Sequence, residues 1–150
     1  MYIGHINLAK SFNGWGEHFV SLIEALDTRG FRQHAIVRST PLAKRLDLLE
    51  NVTIGPTVTS AVMAYCLMPA VDVAHIHDSA DGQAGLLLTL TRSIPYVLTC
   101  RDQSHGSSPL AKSVSRRASG FVFVEDADAD KHLRLYRHAV LKWRRGILSV

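Results

Sequence analysis

Tyr2-Ile3-Gly4-His5-Ile6-Asn7-Leu8, followed after a short link by Phe12-Asn13-Gly14-Trp15-Gly16-Glu17, decides how this chain folds. The first seven residues form a nearly unbroken apolar run, the pattern of a parallel strand covered on both faces. From Glu17 to Asp27 the period changes to that of a helix, with Phe19, Val20, Ile23 and Leu26 on one stripe. Arg29-Gly30 ends the helix, with glycine at the position that favours a left-handed backbone. Strand, glycine-bearing turn and helix in that order open an α/β domain of the nucleotide-binding type. Backbone N–H groups at the helix start are then turned toward an anion.

The same alternation continues outward from this start. Strands are expected at Tyr2–Leu8, Gln33–Arg38, Val52–Ile54, Val73–His77, Tyr96–Cys100 and Phe121–Val124. Helices fit at Glu17–Asp27, Pro41–Glu50, Thr57–Leu67, Ala80–Arg92, Ser108–Ala118 and Ala127–Arg137. Six strands alternating with helices over short links predict a single α/β domain spanning residues 1–150. Its sheet is expected to be Rossmann-like, doubly wound and mostly parallel, with helices on both faces. Ligands of such sheets bind beyond the carboxyl ends of the strands. The chain places Asn7-Leu8-Ala9, Arg38-Ser39-Thr40, His77-Asp78, Arg101-Asp102 and Glu125-Asp126 there.

Composition narrows the classes. With 47% hydrophobic and 20% charged residues, the chain is globular rather than disordered. The first eight residues read as a strand and show no charged-then-apolar leader pattern, so no signal peptide is expected, and no run reaches the roughly 18 apolar residues of a membrane span. A cytoplasmic location is therefore expected. Cys66 and Cys100 show no metal or redox spacing and are expected as buried, reduced thiols. Residues 100–150 carry ten Lys/Arg against five Asp/Glu, whereas residues 1–99 carry seven against eight. The basic third, with Lys142-Trp143-Arg144-Arg145, suits an anionic partner such as a phospholipid surface, a phosphorylated glycan or nucleic acid, or is a solvated face.

Three segments can carry chemistry. In the first, Gly14 and Gly16 allow close backbone approach and Glu17 opens the helix, as a ligand loop or as an ordinary turn with a helix-start carboxylate. Phe19 stands where a dinucleotide loop needs its third glycine, and Arg38 rather than an acid follows the second strand, so NAD is disfavoured. No phosphate-binding P-loop pattern occurs. The second segment is His75-Ile76-His77-Asp78, whose alternation puts both histidines on one side of the strand. It reads as a cleft pair, His77 and Asp78, or as a partly buried His75 with His77 hydrogen-bonded near Asp78. Asp81 is close in sequence, but no third and fourth ligand at a known spacing appears, so no metal is assigned. In the third segment Arg101 and Asp102 form either an anion grip or a local ion pair.

Taken together, the chain resembles the N-terminal domain of family 4 glycosyltransferases of the GT-B architecture. The matching segments are His5-Ile6-Asn7-Leu8, Phe12-x-Gly14-x-x-Glu17, Leu22-Ile23-x-Ala25-Leu26 with Gly30, Val71-Asp72-Val73-x-His75-x-His77-Asp78, Ile94-Pro95-Tyr96-Val97-Leu98-Thr99, and Ala118-x-Gly120-Phe121-Val122-Phe123-Val124. They occur in the family's order and cover residues 1 to about 137. The resemblance implies one half of a two-domain enzyme that moves a sugar, with retention, from a nucleotide-sugar donor to a glycan or lipid-linked acceptor. Many members build lipopolysaccharide or other cell-envelope glycans at the cytoplasmic membrane face. By that resemblance Gly14, Gly16 and Glu17 lie on the donor-phosphate side, and His77, Asp78, Arg101 and Asp102 line the acceptor cleft.

The donor-binding half of the family would be supplied by a second domain or subunit, and the 150 residues alone are expected to be inactive. The resemblance implies no cofactor and no nucleic-acid partner, and assigns no catalytic residue. A peripheral membrane contact and self-association through an uncovered interface are further expectations. The chain departs from the family at Trp15, where a second glycine is usual, at Arg101, where histidine is frequent, and at Glu125, where serine is common. Two other readings remain: a non-catalytic binding module on the same fold, and a small α/β enzyme using His77, Asp78 and Arg101 on a phosphorylated substrate.

Overall fold

The computed structural model describes residues 1–10, 14–100, 109–123 and 128–148. Six strands, β1 (Tyr2–Asn7), β2 (Arg32–Val37), β3 (Val52–Ile54), β4 (Val73–Ile76), β5 (Tyr96–Cys100) and β6 (Gly120–Phe123), pair in the order β3-β2-β1-β4-β5-β6. Every pairing is parallel, so the sheet expected to be mostly parallel is wholly so among the described residues. Among the described residues six helices connect and follow the strands: α1 (Gly14–Thr28), α2 (Thr40–Leu46), α3 (Ala61–Leu67), α4 (Gly82–Arg92), α5 (Pro109–Arg117) and α6 (Ala129–Leu148), with one 3₁₀ turn at Ser79–Asp81. This is a Rossmann-like α/β fold.

Two apolar layers hold the sheet. On one face Ile6, Ile36, Ala74, Ile76, Tyr96 and Leu98 pack against α3, α4 and α5. On the other, Ile3, Val73, Val97 and Val122 meet Leu22 and Leu26 of α1 and Leu133 and Tyr136 of α6. Burying such residues contributes roughly 1.5–3 kcal/mol each. The helix α4 comes so close that a Cβ on Gly85 would stand 2.5 Å from the Tyr96 ring, and this approach requires glycine. Gly30, at φ +72°, closes α1 as expected, its N–H bonding to Asp27 O.

Local signals explain where the observed ends differ from the expected ones. The first helix begins three residues early, so Gly14 and Gly16 form its first turn instead of preceding it. The third begins at Ala61 instead of Thr57 because Ser60 caps it, its side chain accepting from Met63 N at 3.2 Å. The sixth runs on to Leu148 because Tyr136, Ala139 and Val140 continue its apolar stripe past Arg137. Cys100 is buried, but Cys66 is exposed, contrary to expectation: α3 turns Ala64 inward and leaves Cys66 on its outer side. No helix among the described residues is long and apolar enough to cross a membrane.

Candidate functional site

The strand order reverses between β1 and β4. The chain leaves β1 toward β2 and β3, then returns on the far side through β4 and β5, and sheets of this kind hold their ligand crevice at such a switch point, beyond the strands' carboxyl ends. Leu8 N, just past β1, donates to Asp81 Oδ2 at 3.1 Å, tying the exit of β1 to the 3₁₀ turn after β4. Asn7 Oδ1 accepts from Ala9 N at 3.1 Å and turns the backbone there. His77 N continues the ladder by donating to Ile6 O at 2.9 Å.

Beneath this crevice a polar seam crosses four strands on the α1/α6 face. Its members are Gln33 on β2, His5 on β1, His75 on β4 and Thr99 on β5, all buried. His5 and His75 are direct partners in the β1–β4 register. Gln33 Nε2 donates to Ile23 O at 3.1 Å, so its oxygen faces His5 Nε2, also at 3.1 Å. His5 therefore carries its proton on Nε2 and offers the Nδ1 lone pair to His77 Nε2 at 3.1 Å. His77 donates in turn, which leaves its own Nδ1 as an acceptor. His75 is held from both sides, Nδ1 by Tyr136 Oη and Nε2 by Thr99 Oγ1, each at 2.7 Å. His132 joins from α6, its ring centroid 5.5 Å from that of His75, while its Nδ1 donates to Asp128 O at 2.8 Å. Phe19 of α1 meets the His77 ring edge-on at 4.5 Å.

These imidazoles are neutral at physiological pH. Burial lowers the His5 pKa from 6.5 to about 3, against the smaller upward pull of the Gln33 hydrogen bond. Burial also holds His75 well below the usual range, and His77, His132 and His5 push it further down. Part of His77 meets solvent, yet its ring is enclosed by His5, His75 and Phe19. That enclosure, with the charges His5 and His132 would carry, keeps its pKa well below 6.5. Burial raises the Tyr136 hydroxyl well above 10.

The structure brings some of the sequence candidates to the crevice and gives others local duties. His77 stands at the switch point, hydrogen-bonded to His5 rather than to Asp78. His75, expected to be partly buried, is fully so. Asp78 Oδ1 accepts from Ala80 N at 3.0 Å and starts the 3₁₀ turn. Gly14 and Gly16 sit in the first turn of α1, and the exposed Glu17 faces Arg45 of α2 at 3.7 Å. Arg101 and Asp102, with Phe12, Asn13, Glu125 and Asp126, lie outside the described residues, as does the Trp15 side chain. The basic tail forms the end of α6, where Lys142 and Trp143, with Arg116, Arg117, Ala118 and Ser119, line a cavity of about 810 Å³. That cavity lies at the amino edge of the sheet, opposite the crevice.

Sequence reasoning missed His5, Gln33, His132 and Tyr136 as members of one network. A polar side chain inside each of two otherwise apolar expected strands, His5 and Gln33, was the available signal; the register sets them diagonally, with Gln33 opposite Ile3 and His5 opposite Ala35.

No family model and no curated protein matches the chain. Solved structures do match. HepE of Anabaena in complex with UDP aligns with TM-score 0.58 at 13% identity, covering 81% of this chain and 37% of that one. HepE with UDP and glucose aligns at 0.56 and 12% over the same shares. The GsuK channel bound to NAD aligns at 0.55 and 17%, over 81% of this chain and 21% of that one. The fold is shared. The chain spans well under half the length of these relatives.

Proposed function

We propose that this chain is the acceptor-side half of a retaining glycosyltransferase, transferring a sugar from a nucleotide-sugar donor to a hydroxyl of a glycan or lipid-linked acceptor. The observation that carries the reading is His77: a neutral imidazole at the switch point, its Nδ1 left as an acceptor by the ordered chain Gln33–His5–His77. Such a group accepts a hydrogen bond from a sugar hydroxyl at neutral pH. The first turn of α1, with Gly14, Gly16 and Glu17, supplies N–H groups suited to a donor diphosphate. Asp78 flanks His77, and Arg101 and Asp102 complete the acceptor cleft in this reading. The complexes of HepE with UDP, and with UDP and glucose, support a nucleotide-sugar ligand for this fold.

In this reading a second domain or subunit binds the nucleotide. The chain works in the cytoplasm, where the exposed Lys142, Arg144 and Arg145 of α6 touch an anionic membrane face. Thermal denaturation with free oligosaccharides, phosphoglycans, UDP and UDP-glucose tests the proposal. The acceptor class should raise the midpoint, with UDP-glucose alone giving little, and His77→Ala should remove the effect. The reading fails if no glycan binds up to the roughly millimolar range of weak complexes, or if binding is indifferent to His77.

A further inference from the structure

We propose that His5, His75 and His77 form a three-nitrogen site for a divalent transition-metal ion of the zinc type. Each contributes a ring nitrogen, and the three lie within 4.8 Å of one another. The sequence offers only His75-x-His77; parallel pairing supplies the third ligand from a residue 70 positions away, because β1 and β4 align His5 with His75. His5 Nδ1 and His77 Nε2 are 3.1 Å apart. Two nitrogens at the zinc–histidine bond length of about 2.05 Å in a tetrahedron stand roughly 3.3 Å apart. For this pair the spacing already matches to a few tenths of an ångström; to take the ion the two rings tilt their lone pairs toward it, the His77 proton moves from Nε2 to Nδ1, and the third nitrogen closes in from within 4.8 Å.

The surroundings are those of a ligating histidine set. A metal-bound imidazole almost always donates its far N–H to a fixed acceptor, which sets the tautomer. His5 has that acceptor in Gln33 Oε1, itself fixed by the amide bond to Ile23 O. His75 has a hydroxyl at each nitrogen, Tyr136 and Thr99; ligation would take one nitrogen from its hydroxyl, while the other keeps its partner and stays oriented by it. His132 sends its Nδ1 to Asp128 O and is not in the ligand group. Three protein nitrogens leave one position open, as in zinc sites that hold an exchangeable water or an anionic oxygen. That position is on the His77 side, the part of the cluster nearest the crevice.

The inference does not rest on the sugar-transfer reading, and its failure leaves that reading standing; an ion on His77 Nε2 would put the ring proton on Nδ1, so in the loaded site His77 donates to an oxygen at the crevice, whereas in the empty site it accepts. The test uses the full chain, without a purification tag and stripped with chelator, titrated with Zn²⁺ by calorimetry and with Co²⁺ by visible absorption. The expected result is one ion per chain and the intense bands of four-coordinate cobalt. His77→Ala, at the partly open edge of the cluster, should abolish the bands. Gln33→Leu should weaken binding about 10–100-fold, the usual effect of losing a partner that orients a ligating histidine. His18→Ala, His138→Ala and Cys66→Ser, all at exposed positions, should leave binding unchanged. On the unmutated chain, zinc should move the ring ¹⁵N resonances of His5, His75 and His77, a readout that holds if a variant fails to fold. Binding that survives His77→Ala, resonances that stay in place, or cobalt held only in six-coordinate form would overturn the proposal and leave the 3.1 Å contact as a plain N–H···N hydrogen bond.

Discussion

Along the centre of the sheet, β1, β4 and β5 turn Ile6, Ile76 and Leu98 to one face and His5, His75 and Thr99 to the other. The backbone, burial and neighbouring strands are the same, and the chemistry is opposite. The first face is held by dispersion and water exclusion, which tolerate small shifts. The second is held by directional bonds, each of which needs its partner at a set distance. Two departures make the contrast less than absolute. Tyr96 donates through its hydroxyl to Val114 O, and His34 on β2 keeps a buried Nε2 without a partner among the described residues.

Acid separates the faces most strongly. His5 has a folded pKa near 3 and an ordinary unfolded value of 6.5, so between those pH values the unfolded chain binds a proton that the folded chain refuses. Stability is then fully present above about pH 6.5 and falls on acidification, by about 1.4 kcal/mol per pH unit for each such histidine. His75 and His77 shift in the same direction, so urea midpoints measured from pH 7 to pH 4 should drop steeply. A flat profile would mean the rings are solvated.

Leu98→Ala on the apolar face should cost about 2–5 kcal/mol through lost burial and a residual cavity, with the acid slope unchanged. On the polar face Tyr136→Phe keeps the ring but strips the hydroxyl from His75 Nδ1. It should cost about 1–3 kcal/mol in denaturant melts, the penalty of an unpaired buried group. The smallest effect concerns α4, the cover of the apolar face. Ser93 ends it at φ 56°, a left-handed conformation, and Ser93→Gly should raise stability by about 0.5–1 kcal/mol by calorimetry. A loss instead would show that the serine side chain is needed at that cap.

The apolar face could be read from the chain because strands such as Tyr96–Cys100 are continuous hydrophobic runs and helix stripes such as Phe19–Val20–Ile23–Leu26 are periodic. Both are local patterns. His77 and Asp78 were legible as a strand end, which is also local. The seam was not: His5 looked like a lone interruption in a strand and Gln33 like a polar strand start. Their meaning depends on which strands become neighbours, and the order β2-β1-β4-β5 is a global property. Helix ends were missed where a cap went unread, as at Ser60 inside the expected Thr57–Leu67, or where a basic tail hid the continuing stripe of α6.

The pairing of His5 with His75 also bears on how the sheet avoids assembling wrongly. Apolar strands slide past one another with little change in energy, since Ile, Val and Ala are nearly interchangeable partners. If β4 slipped one residue along β1, alternation would carry His75, and His77 beyond it, to the α3/α4 layer and leave Tyr136, Thr99 and His5 Nδ1 in a dry interior without their partners. The histidine seam thus penalises every alignment but one, and it does so at the junction where the first half of the chain meets the second.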